Sequence, residues 1–336
     1  MGSFSPSIST SEMVGVIGTG SIGTRHLEIL KSFEKIRPVC FSKRASRKKE
    51  LFAQGYSIVD SVLEMKKLGV KAAIIATDTK EHFRYVEECL EAGMDVLVEK
   101  PLAIDAKEAK KIAQLSEKLS RKVYVGCVMR FSLSLREFIR CLKEMGKIYS
   151  VRVECQSYLP AWRPERNYKE AYSARKEEGG VLRDLVHEID YTGWIFGWPD
   201  SLQAHLGNTG VLGIESEEFA DISWNISPYT SVSMRLDYLS NPPRRGIIVT
   251  GEKGVLEWDG IKNSVCFTSN EGRNEWESGE NQNAKYEMQL NSFCEAVFSG
   301  KTSGLLATVV DGVKAMLVIE AARLASMNKK EMEISY

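Results

Sequence analysis

Met13-Val14-Gly15-Val16-Ile17-Gly18-Thr19-Gly20-Ser21-Ile22-Gly23 is a short apolar run that closes on three glycines spaced G-x-G-x-x-G. Apolar residues then recur at Ile22, His26, Ile29, Leu30 and Phe33 with helical spacing, so the stretch reads as strand, glycine turn, helix. In such a turn Gly18 permits the tight bend, Gly20 lets a pyrophosphate approach the backbone, and Gly23 allows the helix to pack closely. The same alternation continues outward. Strands are expected at Ile36 to Phe41, Ala72 to Ala76, Asp95 to Val98 and Val123 to Gly126. Helices are expected at Arg47 to Gln54, from Asp60 to near Gly69, at Glu81 to Ala92, and from the capping pair Asp105 and Glu108 to about Leu119. Strands alternating with helices specify a doubly wound parallel α/β sheet with right-handed crossovers, over residues 13–129.

After Arg130 the period changes. A helix from Leu133 to Met145 leads into period-two runs at Tyr149 to Cys155, Ala220 to Ile226, Ser231 to Tyr238 and Gly246 to Thr250. These predict an α+β domain over residues 130–336, built on a large, mainly antiparallel open sheet with one covered face. A helix is expected over Val181 to Phe196, two more at Tyr286 to Phe298 and Thr308 to Ser326, and a last strand at Glu331 to Ser335. Residues 1–12 are Ser-rich and read as a flexible tail.

The chain has 336 residues, long enough for two domains. Its 45 basic and 45 acidic residues balance to a net charge of zero, which removes bulk attraction to nucleic acid or anionic lipid. No apolar stretch approaches the length of a membrane span. Seven dispersed cysteines without a C-x-x-C pair argue against a zinc site or redox dithiol and for a reducing, cytoplasmic setting. Four histidines without ligand-like neighbours give no metal site; His26 reads as a packing residue and His205 as a strand surface residue.

Placed in the first strand-helix unit of an alternating domain, the glycine turn points to a dinucleotide held by Gly18, Gly20, Ser21, Ile22 and Gly23. The second strand would ordinarily end in an Asp or Glu for the ribose 2′-hydroxyl; here Ser42, Lys43 and Arg44 follow Phe41. A hydroxyl and two cations suit a 2′-phosphate, so NADP is preferred over NAD, although the same residues also read as a solvated turn. Glu99-Lys100-Pro101 lies just past a buried strand, at the sheet edge where ligands bind, and a lysine there can act as acid or base. Asp184, His187 and Asp190 recur every third residue, which on one helix brings them near one face.

These motifs together (Gly18 to Gly23; Ala76-Thr77-Asp78-Thr79 with His82; Glu99-Lys100-Pro101; Gly179-Gly180 leading to Asp184, His187 and Asp190) resemble the glucose-fructose oxidoreductase, inositol dehydrogenase and MocA family over almost the whole chain. The resemblance implies a Rossmann domain and hydride transfer between a nicotinamide and a sugar, nucleotide-sugar or polyol. It implies that Lys100, preceding a cis Pro101, polarises or deprotonates the reacting hydroxyl, that His187 is the second acid/base group, and that Asp184 tunes the site. Thr77, Asp78, His82, Glu99 and Lys100 would contact the cofactor, and Arg130 the substrate. Three departures stand out. Asp184 and His187 are one residue closer than in the family, a rotation of about 100° on a helix; Asp78 replaces a proline, and Val128 an asparagine. Two alternatives stay open: a redox-neutral epimerase or eliminase that retains its cofactor, and a catalytically silent cofactor-binding sensor, which the shortened spacing and Val128 favour.

The loop from Tyr158 to Lys176 resembles a branch of the family associated with surface-polysaccharide and nonulosonate sugars. Trp162, Arg163, Arg166, Tyr168, Tyr172 and Arg175 supply aromatic faces and arginine forks suited to a polar or anionic sugar. Glu165, Glu170, Glu177 and Glu178 in the same loop make internal ion pairs an equal reading. The exposed face of the second sheet leads to the expectation of a homodimer or homotetramer.

Overall fold

The computed structural model describes residues 11–336. The expected tail at 1–12 therefore lies almost wholly outside the described residues, and Glu12 already belongs to the first strand. The first domain runs β1 (Glu12–Ile17), α1 (Ser21–Ser32), β2 (Ile36–Phe41), α2 (Ala45–Ala53), β3 (Ser57–Val59), α3 (Val62–Lys67), β4 (Ala72–Ile75), α4 (His82–Glu91), β5 (Asp95–Val98), α5 (Ala106–Leu119) and β6 (Val123–Val125). The parallel strands lie in the order β6-β5-β4-β1-β2-β3. The order reverses between β1 and β4, and at such a switch point the loops leaving the two strands diverge and open a crevice. Every residue of β4 is buried, as a strand covered on both faces requires. Ser61, not Asp60, caps α3, its side chain accepting from the Glu64 amide.

The second domain adds α6 (Leu133–Leu142), β7 (Ile148–Gln156), α7 (Val181–Asp184), α8 (Val186–Phe196), β8 (Ser201–Gly207), β9 (Phe219–Ser227), β10 (Thr230–Asp237), β11 (Arg244–Gly251), β12 (Gly254–Asp259), β13 (Ser264–Ser269) and β14 (Gly272–Glu277). After them come α9 (Ala284–Phe298), β15 (Ala307–Thr308), α10 (Val309–Asn328) and β16 (Met332–Glu333). Nine strands form one sheet, β14-β13-β12-β11-β7-β10-β9-β8-β16, antiparallel except for β7 beside β10. Alternate residues such as Val151, Val153, Ile222, Met234 and Trp258 are buried on the helix-covered face, while Arg152, Asp221 and Ser233 face outward.

The sheets do not follow chain order across residue 130. β15 returns to pair antiparallel with β6, and the capping box of Thr308 and Asp311 starts α10 beside it. The expected helix over Val181 to Phe196 is two helices, α7 and α8, broken at Leu185 (φ −97°, ψ 29°). Among the described residues no helix is long and apolar enough to cross a membrane, and no cluster of three metal-ligating side chains occurs.

Candidate active site

A cleft of about 810 Å³ opens along the carboxyl ends of the first domain's strands and is closed on its far side by the second domain. Its floor is the glycine turn. Gly18 adopts φ +95°, and a Cβ there would stand 2.4 Å from the Ala76 carbonyl oxygen; a Cβ on Gly23 would stand 2.0 Å from the Gly18 oxygen. Both positions therefore exclude any side chain. Gly20 is the opposite case: an added Cβ meets nothing within 4 Å, and no side chain caps α1. Open space before the unsatisfied amides of a helix N-terminus fits a pyrophosphate. Thr77, on the same cleft wall, has a buried hydroxyl without a partner among the described residues, a second polar group that a ligand would satisfy. The residues present thus fit a dinucleotide.

Ser42, Lys43 and Arg44 line the cleft where the adenine ribose would lie. Ser42 Oγ accepts from Thr19 Oγ1 at 2.8 Å and from the Arg44 amide at 3.3 Å, which shapes the turn. Lys43 Nζ donates to Glu81 Oε2 at 2.9 Å, and that pairing raises the lysine's pKa and lowers the glutamate's. Arg44 Nη2 donates to the Thr19 carbonyl at 3.1 Å.

Lys100 and His187 both line the cleft, one from each domain. The Lys100-Pro101 bond is cis. Lys100 Nζ donates to the main-chain oxygen of Asp184 at 2.7 Å, a carbonyl freed because α7 ends there. The preceding residue is fixed as well: Glu99 Oε1 bonds His26 Nε2 at 2.7 Å, so the fully buried His26 braces the Glu99-Lys100 loop instead of merely filling space. His187 Nδ1 is enclosed and unpartnered among the described residues. Burial first, then the charges of Lys100, Arg245 and Lys285, hold its pKa well below the ordinary imidazole value.

Several sequence expectations require correction. Asp184 does not share a face with His187; the break at Leu185 turns it into the interior, where Oδ2 accepts from the Tyr238 hydroxyl at 2.6 Å. It acts on Lys100 through its backbone. Asp190 and Arg130 form a buried bidentate pair, Nε to Oδ2 at 2.9 Å and Nη2 to Oδ1 at 2.6 Å, with Asp311 at 3.3 Å and the Trp194 ring stacked on the guanidinium. Burial opposes the charge on Arg130, and the Asp190 carboxylate together with Cys127 and Asp311 more than offsets it. Arg130 ties α8 to the start of α10 and does not line the cleft. His82 is also buried, its ring between the carbonyls of Pro101 (3.0 Å) and Thr77 (3.2 Å), so it orients the two loops without reaching the cleft. Trp162 turns its Nε1 to Ser157 Oγ at 2.9 Å and its ring onto Tyr238, and Arg175 pairs with Glu178 at 3.2 Å. Of the loop's named residues, Arg163, Arg166 and Tyr172 do line the cleft.

Arg25 and Tyr286 are among the cleft residues that the sequence did not single out. Arg25 lies one helical turn after Ser21, a spacing that could have marked it; Tyr286 comes from α9 and stacks under the Arg25 guanidinium at 4.7 Å, a contact no local pattern announces.

The buried imidazoles carry a pH prediction. Burial lowers the pKa of both His82 and His187, whereas the unfolded chain takes up those protons near pH 6.5. The unfolded state therefore binds more protons as pH falls below about 6.5, and stability declines there by up to about 1.4 kcal/mol per pH unit per imidazole. Urea unfolding between about pH 7.5 and 5.5, above the carboxylate range, should show that decline; a flat profile would mean that both rings protonate in the native fold.

Comparison with known proteins matches residues 13–127 to the model described as "Oxidoreductase family, NAD-binding Rossmann fold" and residues 134–257 to the "GFO/IDH/MocA C-terminal domain". The chain is 27% identical over 325 residues to the rhizopine catabolism protein MocA of Rhizobium meliloti, covering 92% of this chain and 93% of that one. It is 26% identical to the myo-inositol dehydrogenase Hyg17 of Streptomyces leeuwenhoekii, a match that spans 55% of each chain. Among solved structures, the WlbA dehydrogenase of Bordetella pertussis in complex with NADH and UDP-GlcNAcA superposes with a TM-score of 0.81 at 18% identity, over 97% of this chain and 99% of that one. That structural likeness shows a shared fold.

Proposed function

The chain belongs to the Gfo/Idh/MocA oxidoreductase family, and from that premise we infer that its cleft oxidises or reduces a CH–OH group of a sugar, nucleotide-sugar or polyol with a bound nicotinamide dinucleotide. The observation that carries this reading is that Lys100 and His187, from the two domains, line one cleft whose floor is a vacant-sided Gly20 turn. The relatives named for inositol oxidation and for MocA support a polyhydroxylated substrate. When bound, the nicotinamide supplies the two-electron acceptor or donor. The protein's own groups manage the proton and the charge. Lys100, with one N–H engaged by the Asp184 carbonyl, keeps its remaining donors for the substrate oxygen and stabilises the negative charge that develops on it. His187, held neutral by burial and three neighbouring cations, accepts the hydroxyl proton and returns it in the reverse direction.

On the cofactor, NADP is favoured over NAD, because β2 ends without a carboxylate and presents Ser42, Lys43 and Arg44. A 2′-phosphate would take the place that Glu81 now fills at Lys43. Nicotinamide-fluorescence titration should give NADPH an affinity about tenfold above NADH, the scale of one charge-assisted contact. Equal or tighter binding of NADH would refute the assignment. The outward face of the nine-stranded sheet, polar along β7, β9 and β10, is the surface assigned to a homodimer or homotetramer.

A further inference from the structure

Sorting the cleft's cations by partner leaves a positive charge without a counterpart. Lys43 is paired with Glu81 at 2.9 Å, Lys80 with Glu178 at 3.3 Å, and Lys100 with the Asp184 carbonyl at 2.7 Å. In the loop of the second domain Arg175 is likewise engaged, by Glu178 at 3.2 Å and the Glu170 carbonyl at 3.3 Å. Arg44 bonds the Thr19 carbonyl at 3.1 Å, and Arg25, without an ion pair among the described residues, lies over the Tyr286 ring at 4.7 Å on the helix that follows the glycine turn; Arg163 and Arg166 differ from both in coming from the second domain. These two line the cleft, yet the Arg163 guanidinium has no ion pair among the described residues, and Arg166 reaches only Glu165, at 3.9 Å and largely in solvent. The Arg166 amide donates to the Arg163 carbonyl at 3.0 Å, so one tight turn sets both side chains on the same lip. Of the internal ion pairs that four glutamates made plausible for this loop, the close one is formed by Arg175, Arg166 makes only the long exposed contact to Glu165, and Arg163 makes none among the described residues.

The inner end of the cleft shows the same imbalance independently. His187 stands in the combined field of Lys100, Arg245 and Lys285, and only Arg245 among them has a carboxylate partner, Glu188 at 2.7 Å. The glycine turn, whose amides would receive the cofactor's phosphates, belongs to the first domain, whereas Arg163 and Arg166 come from the second. Guanidinium forks left open beside a positive field suit one ligand chemistry, a carboxylate or phosphate oxygen pair.

We propose that the substrate is acidic, carrying a carboxylate or a phosphate that docks between Arg163 and Arg166 while its hydroxyl meets Lys100 and His187. The hydroxyl half of that statement rests on the oxidoreductase reading; the anion half does not, and binding alone tests it. Dinucleotide-saturated protein is titrated calorimetrically with glucose, glucuronate and UDP-glucose. Glucuronate against glucose isolates a ring carboxylate, and UDP-glucose against glucose isolates a diphosphate. At least one of the two anions should bind at least about tenfold more tightly than glucose, about 1.4 kcal/mol. In the double variant Arg163→Gln, Arg166→Gln that advantage should disappear while dinucleotide affinity stays unchanged. Both side chains are exposed, so the variant retains its fold. Anions that bind no better than glucose, absence of binding by all three, or an advantage that survives the double substitution would each overturn the proposal. A protein that binds the anion but never turns over would instead count against the oxidoreductase reading.

Discussion

Lys100→Met lowers turnover by at least about a thousandfold and leaves dinucleotide affinity within about threefold of the parent. The substitution keeps the length and apolar stem of the side chain and removes its charge. What is lost is the group that lines the cleft opposite His187 and is aimed by the Asp184 carbonyl at 2.7 Å. The phosphate cradle is untouched, because it is built from the amides at the start of α1. The substitution also leaves a buried carbonyl without its donor, at a cost of about 1–3 kcal/mol. Stability is therefore measured beside activity: a folded, cofactor-binding variant without turnover is the expected outcome, and turnover above about a tenth of the parent would remove Lys100 from the mechanism.

The second large effect is at Gly20. Gly20→Val should weaken dinucleotide binding by at least about a hundredfold, roughly 2.7 kcal/mol, with little change in the unfolding midpoint. The prediction follows from the difference among the three glycines. Side chains at Gly18 and Gly23 would collide with backbone oxygens at 2.4 Å and 2.0 Å, so substitution there disturbs the fold itself. At Gly20 the backbone is extended (φ −74°, ψ −166°) and the neighbouring space is empty, so valine is accommodated by the protein and excludes only the ligand. Dinucleotide affinity equal to the parent's would show that the cradle is not where the pyrophosphate sits.

The legible parts of the fold were those with a local physical cause. The first glycine turn, the wholly buried β4 and the capped α5 each carry their reason within a dozen residues. β3, three residues long, and β14, exposed along its whole length, offer no apolar period to read. β12 buries only Leu256 and Trp258 between turns. The break between α7 and α8 has no glycine or proline to announce it. The interrupted turn presents the Asp184 carbonyl to an ammonium that arrives from 84 residues earlier, a tertiary cause overriding a continuous helical pattern.

The site divided along the same line. Gly18, Gly20, Lys100 and His187 were readable because their types and spacing are dictated by chemistry, and all four line the cleft. Asp184, Arg130 and His82 were assigned chemical roles that the structure redirects. Each is a polar group buried in a junction, bonded to partners such as Tyr238, Pro101 or, 60 residues away, Asp190 for Arg130. In a sequence a buried structural ion pair and a ligand-binding pair look alike. The arginines of the loop were separable only once Arg175 was seen paired and Arg163 was not.

The central claim is that this cleft couples a CH–OH group to a nicotinamide through Lys100 and His187. Its most direct test follows nicotinamide absorbance while the protein, with NADP or NAD, is offered myo-inositol, glucose, glucuronate and UDP-glucose, and with the reduced cofactors is offered the corresponding carbonyl compounds. At least one substrate should produce a stoichiometric change that is absent with Lys100→Met. A protein that binds the dinucleotide yet gives no change in either direction with any of them would contradict the claim.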